Sequence, residues 1–110
     1  MKRTGIFTLL IIISHALFAQ SGKETFTISG VVVDDQQQAV PFANAAVYDN
    51  LDSALVGGAA SDETGAFVVA MKPGNYYMKI SFLSYQEKII PNINLVNRDI
   101  DLGTIVLAAD

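Results

Sequence analysis

The chain has 110 residues, 51% of them hydrophobic, with no cysteine, no tryptophan, one histidine and a formal net charge of −4. The missing cysteine excludes disulfides and thiolate chemistry, and the acidic balance repels nucleic acid and anionic lipid. The length allows one small domain with a single two-layer core.

Met1, Lys2 and Arg3 precede the nearly uncharged stretch TGIFTLLIIISHALFA. A basic start, an apolar segment of about 14 residues and a small residue ahead of a polar one form the layout of a secretory signal peptide. Residues 1–19 are therefore read as a signal-peptide helix, cut between Ala19 and Gln20, although Leu17 is bulky for the third position back. A retained anchor is the alternative, but the stretch falls short of the ~20 residues a spanning helix needs, and His15 interrupts it. No cysteine follows, so a lipid-anchored lipoprotein is excluded. Cleavage removes Lys2, Arg3 and the histidine, leaving five basic residues against eleven acidic and a net charge of −6.

Residues 20–25 read as a polar linker ahead of a domain spanning residues 26–108. From Phe26 the hydrophobic period is two. TFTISGVVV sets Phe26, Ile28, Gly30 and Val32 against Thr25, Thr27 and Ser29, the pattern of a half-buried strand. DDQQQAVP is a polar loop, and a second strand is expected from Phe42 to Tyr48, with Phe42 packing beside Pro41. ALVGGAA is a weaker strand in which Gly57 and Gly58 suggest a bulge, an irregular edge or close approach by a partner strand. AFVVAM, after SDETG, is the next. KPGN marks a turn, and YYMKISFLSY is the clearest strand, with Tyr76, Met78, Ile80 and Phe82 on one face. QEKII, INLV and DLGTIVLAA complete about seven strands. Turn residues recur roughly every 8–12 positions and no helix is evident after residue 20, which reads as an all-β sandwich. Its inward face is expected at Ile28, Val32, Val47, Phe67, Val69, Met78, Ile80, Phe82, Ile105 and Leu107.

The stretch SDETGAFVV, residues 61–69, tests whether this sandwich carries chemistry. A calcium loop needs alternating oxygen ligands over twelve residues, and here the chain turns apolar after three. DNLD at 49–52 and RDID at 98–101 are equally thin. Two carboxylates adjacent on a turn point apart, whereas acid/base hydrolysis needs them across a substrate. Nucleophilic serine lacks a histidine base after processing, and zinc lacks its usual ligands. Lys72, Lys79 and Lys88 leave lysine–carboxylate schemes open without selecting one. An intramolecular Lys–Asn crosslink finds neither partner on the first and last strands. The structural reading accounts for every residue: Asp62 accepts amides two residues on, Gly65 takes a left-handed conformation, and Phe67 enters the core, making a hairpin corner. No catalytic, cofactor-binding or metal-binding residue is expected. Tyr76 and Tyr77 are read as one core and one face tyrosine.

Four runs in order, ISGVVVDDQQQAVPFANAAVY, DSALVGGAASDETGAF, PGNYYMKISFLSYQ and DLGTIVL, resemble the carboxypeptidase regulatory-like domain. The resemblance covers nearly all of residues 20–110 and implies a transthyretin-like, seven-stranded β-sandwich. Its signature lies at Gly30, Pro41, Asn44, Asp62, Gly65, Phe67, Pro73, Gly74, Tyr76 and Tyr85, which are turn and core positions rather than catalytic ones. One departure is Ser84, where the family usually has glycine before the tyrosine. More narrowly, the run resembles the N-terminal segment of TonB-dependent receptors and outer-membrane β-barrel proteins of Bacteroidetes-type bacteria. That resemblance implies export to the periplasm or outer membrane and no enzyme activity. It implies a protein partner such as a receptor plug and barrel, the chain being a fragment or truncated product without them, or else a free-standing periplasmic module. The alternative is a secreted glycan- or protein-binding module using Tyr48, Tyr77 or Tyr85.

Overall fold

A computed structural model describes residues 24–110, and the expected signal peptide lies outside them. Seven strands follow in order: β1 (Phe26–Asp34), β2 (Asn44–Asp49), β3 (Leu55–Ala60), β4 (Ala66–Met71), β5 (Gly74–Ser81), β6 (Lys88–Leu95) and β7 (Ile100–Leu107). No helix forms among the described residues. One sheet runs β4-β1-β7 and the other β3-β2-β5-β6. Pairing is antiparallel throughout except between β1 and β7, the first and last strands, which run parallel.

The two inner faces close on a core of Ile28, Val32, Val47, Met78, Ile80, Leu95 and Leu107, all essentially without solvent contact. Their alternation along each strand is what commits each sheet to one buried face, because a one-residue slip would turn every one of them outward. Gly30 has a specific part in this packing. It lies opposite Phe67 in the β1–β4 register, and a Cβ there would stand 2.9 Å from the Phe67 ring. The phenyl ring thus occupies the space that a side chain at residue 30 would take.

The expected inward residues are buried with one exception. Phe82 is 37% exposed and lies beyond β5, which ends at Ser81. A turn stops the strand there: the Tyr85 amide donates to the Phe82 carbonyl, and Ser84 adopts φ 72°. Phe42 departs similarly. It precedes β2, has φ 63° and is 68% exposed, so it neither extends the strand nor packs in the core. The Pro41 ring sets its own φ at about −65°, and the positive φ at Phe42 after it gives the pair the geometry of a type II turn.

Two further expectations change. QEKII and INLV are not separate strands: β6 runs through Pro91, with a bulge marked by Asn92 at φ 58°. Proline is tolerated because β6 is an edge. Residues 61–65 also do not form a hairpin between paired strands. Locally they close like one, with the Gly65 amide donating to the Asp62 carbonyl and the Asp62 amide to that of Ala66. The flanking strands, however, belong to different sheets, so the turn is an inter-sheet corner.

Candidate functional site

The acidic residues are the natural place to look for reactivity, and most are occupied with the backbone. Asp34 Oδ1 accepts the amides of Gln36 and Gln38, Asp49 that of Leu51, Asp52 that of Ala54, and Asp101 that of Gly103. Asp99 accepts the Thr27 amide and so ties the start of β7 to β1. Asp62 Oδ1 takes three donors, the hydroxyl and amide of Thr64 and the amide of Ala66. The Thr64 hydroxyl and then its amide draw the Asp62 pKa below its ordinary 3.8, with slight desolvation opposing and the Ala66 amide adding. These carboxylates are turn-builders. No group of three or more His, Cys, Asp or Glu side chains is placed to hold a metal among the described residues.

The other signature residues also resolve into local roles. Gly65 has φ 84°, and a Cβ there would fall 2.3 Å from the Val32 carbonyl oxygen, which only glycine avoids. Tyr76 is buried, and its hydroxyl donates to the Lys72 carbonyl at 2.7 Å. The phenol passes over Gly74, whose Cβ would stand 2.9 Å from that hydroxyl, so Lys72, Gly74 and Tyr76 lock one bend, on either side of Pro73, together. Burial, and secondarily the Asp49 charge, push the Tyr76 pKa above its ordinary value. Tyr85 is half-buried against the core and bridges Ala109. Asn44 opens β2 on its solvent side.

Ser61 was not anticipated. It is the one buried polar residue among those described, and its hydroxyl donates to the Val40 carbonyl at 2.7 Å while accepting the Ala43 amide at 2.8 Å. Its own carbonyl accepts the Phe42 amide. One serine therefore staples the Pro41 and Phe42 turn onto the inter-sheet corner.

What that staple holds outward is apolar. Phe42, Asn44, Ser81, Phe82 and Leu83 line an open depression at one end of the four-stranded sheet, with Leu83 83% exposed. Phe42 and Ser84 lie at its margins with left-handed backbone, an arrangement that costs of order 1–2 kcal/mol per non-glycine residue. A second group is the half-buried pair Tyr48 and Tyr77, directly opposed in the β2–β5 register. Their rings stack at 5.2 Å and 10°, and Lys79 Nζ lies 5.1 Å over the Tyr48 ring. Tyr85 does not join them; its ring neighbours Phe82.

Residues 27–108 match the family model described as the carboxypeptidase regulatory-like domain. The chain belongs to that family. A carboxypeptidase regulatory-like domain is a non-catalytic β-sandwich module, consistent with carboxylates committed to turns. No curated protein matches the chain. Among solved structures, the domain is similar to part of an interface mutant of the type II cohesin–X–dockerin complex from Acetivibrio cellulolyticus. That match has TM-score 0.62 and 22% identity over 76% of this chain and 58% of the other. It is also similar to the Bacillus anthracis TIE protein, with TM-score 0.65 and 17% identity over 77% and 16%. A third is 3-chlorocatechol 1,2-dioxygenase from Rhodococcus opacus, with TM-score 0.60 and 10% identity over 83% and 62%. The domain spans less than two thirds of each, and likeness at these identities concerns the fold alone, the dioxygenase included.

Proposed function

We propose that the chain is a non-enzymatic, exported docking module, the periplasmic N-terminal domain of a TonB-dependent outer-membrane receptor. The observation that carries the docking role is the exposed apolar end around Phe42, Phe82 and Leu83, held out by strained backbone at Phe42 and Ser84. Such strain in a bulky residue persists only where surrounding structure imposes it, and it concentrates at contact sites. The receptor context draws its support from the sequence resemblance and the signal-like residues 1–19. Reading the coding sequence downstream of codon 110 tests it. A plug and barrel in frame, or their remnants after a stop, supports the reading. An unrelated gene with no such remnant overturns it.

A second reading, a glycan-binding module, is favoured by the half-buried, stacked Tyr48 and Tyr77 pair. The rings face each other rather than lying flat, which leaves less face for a sugar than a planar platform gives. Glycan binding at micromolar concentration, lost in Tyr77→Ala, would establish it over the receptor reading.

A further inference from the structure

The four sheet edges differ in how they are guarded. A free edge offers unpaired amides and carbonyls to any extended chain, and proteins blunt it with charge, proline or bulges. On one side of the sandwich both edges carry such devices. β6 has Lys88, Pro91 and the bulge at Asn92. β7 has Asp101 and a break at Gly103, with φ 73°. On the other side β3 and β4, which contact each other, contain neither a charged residue nor a proline.

Of these two, β3 is the better template. Its irregularity lies at its start, where Val47 pairs with Gly57 and Tyr48 with Leu55, so residues 57–60 run in regular register. They are Gly57, Gly58, Ala59 and Ala60, small enough to let another backbone come close. Gly57 turns inward, where a Cβ would lie 2.6 Å from the Met71 sulfur. That methionine from β4 closes the seam between the sheets. An incoming chain therefore adds along the edge rather than inserting into the core.

Charge selects the occupant. The neutral edge is flanked by Asp52 before it and by Asp62 and Glu63 after it. A second copy pairing antiparallel would set Asp52 of each chain near Asp62 and Glu63 of the other, and a parallel pair would set Asp52 against Asp52. Like charges placed opposite one another oppose pairing. A segment with basic ends meets the reverse situation.

We propose that β3 accepts an extended strand from another polypeptide, a neutral run of about six residues with a lysine or arginine at each end, adding to the four-stranded sheet by β-augmentation. The inference rests on the reading of the chain as a docking module and specifies its partner's chemistry.

The test uses two eight-residue peptides of alternating valine and threonine, one with lysine at both ends and one with aspartate. Each is titrated into 15N-labelled protein at low and high salt. The lysine-ended peptide is expected to shift the amides of Gly57, Gly58 and Ala59 and to bind at least fivefold tighter, with that preference shrinking as salt rises. Ala60→Lys, at an exposed position, is expected to weaken its binding at least fivefold with thermal stability unchanged. Equal affinity for both peptides, shifts centred on β6 or β7, self-association through β3, or no binding up to millimolar concentration would each overturn the inference. The receptor reading is judged independently by the downstream coding sequence, so either can fail alone.

Discussion

Replacing Ser61 by alanine removes a single oxygen but leaves two buried backbone groups without partners, the Val40 carbonyl and the Ala43 amide. Both residues are nearly inaccessible, so water does not readily substitute. Each buried group left unsatisfied costs about 1–3 kcal/mol, which puts the loss at about 2–4 kcal/mol once partial relaxation is allowed. Small domains have only about 0.05–0.15 kcal/mol of stability per residue, so this is a large fraction of the total. At ~4–8 °C per kcal/mol, the melting midpoint should fall by at least ~8 °C. Urea and thermal denaturation measure it directly, with Glu63→Ala on the exposed corner as a control expected to change by less than ~0.5 kcal/mol. Because the staple fixes the Phe42 turn, the amide resonances of Phe42 and Ala43 should shift most. A Ser61→Ala protein that loses under ~1 kcal/mol would refute the assignment of Ser61 as the clamp between turn and corner.

Gly65→Ala should be worse, losing at least ~3 kcal/mol, because left-handed strain combines with a Cβ forced onto the Val32 carbonyl and with loss of the Val32 amide bond to Gly65; denaturation of purified protein reads it. Ser84→Gly should stabilise by about 0.5–1 kcal/mol, since relief at φ 72° exceeds the added chain entropy of glycine, and a lower melting point would contradict this. Phe42→Gly should leave the isolated domain unchanged or up to ~1 kcal/mol more stable, whereas a ring contributing to the core would cost ~3 kcal/mol or more. For Asp62, the folded-state pKa lies below the unfolded one, so its stabilisation is present above pH 3.8 and is lost as pH falls through the folded value. The stability gap between wild type and Asp62→Asn should accordingly close on acidification below that pH, as followed by thermal melts at stepped pH.

The strands were legible because the alternation is strong and the turn chemistry marks its breaks: β4 begins at Ala66 directly after Gly65, and Ile28, Val32, Met78 and Ile80 are buried as their spacing requires. Phe42 and Phe82 misled for a common reason. Each is a large apolar residue at the end of a strand pattern, although Phe42 has the parity of exposed Asn44 rather than of buried Ala43, Ala45 and Val47. The backbone reversal beside each rests on non-glycine residues with positive φ, Phe42 itself and Ser84, which give no local signal. The Ser84 departure from the family pattern was the one available hint, because a glycine usual at a position implies left-handed backbone there. Partition into sheets was not legible at residues 61–65, since a hairpin and an inter-sheet corner share the same local turn and differ only in contacts remote in sequence. Ser61 was hidden similarly: its partners Val40 and Ala43 lie 21 and 18 residues away. QEKII and INLV read as two runs, where an edge position permits one strand through Pro91.

Exposure in this domain is therefore not simply what the core leaves over. Asn92 and Asn97 adopt left-handed backbone with a residue type that tolerates it, and the φ of Gly65 is dictated by Val32. Phe42 has neither excuse. Glycine would fit its turn better, and a polar residue would suit its exposure better. The turn is nevertheless fixed by a buried serine whose hydrogen bonds would serve equally well with a smaller residue at position 42. Fold stability alone does not select phenylalanine there, and on the docking proposal its exposed ring and the uncharged β3 edge are the two places where a partner would attach. Six carboxylates serve the backbone while, among the described residues, the apolar end around Phe42 and the β3 edge stay open, and that contrast is what the docking proposal rests on.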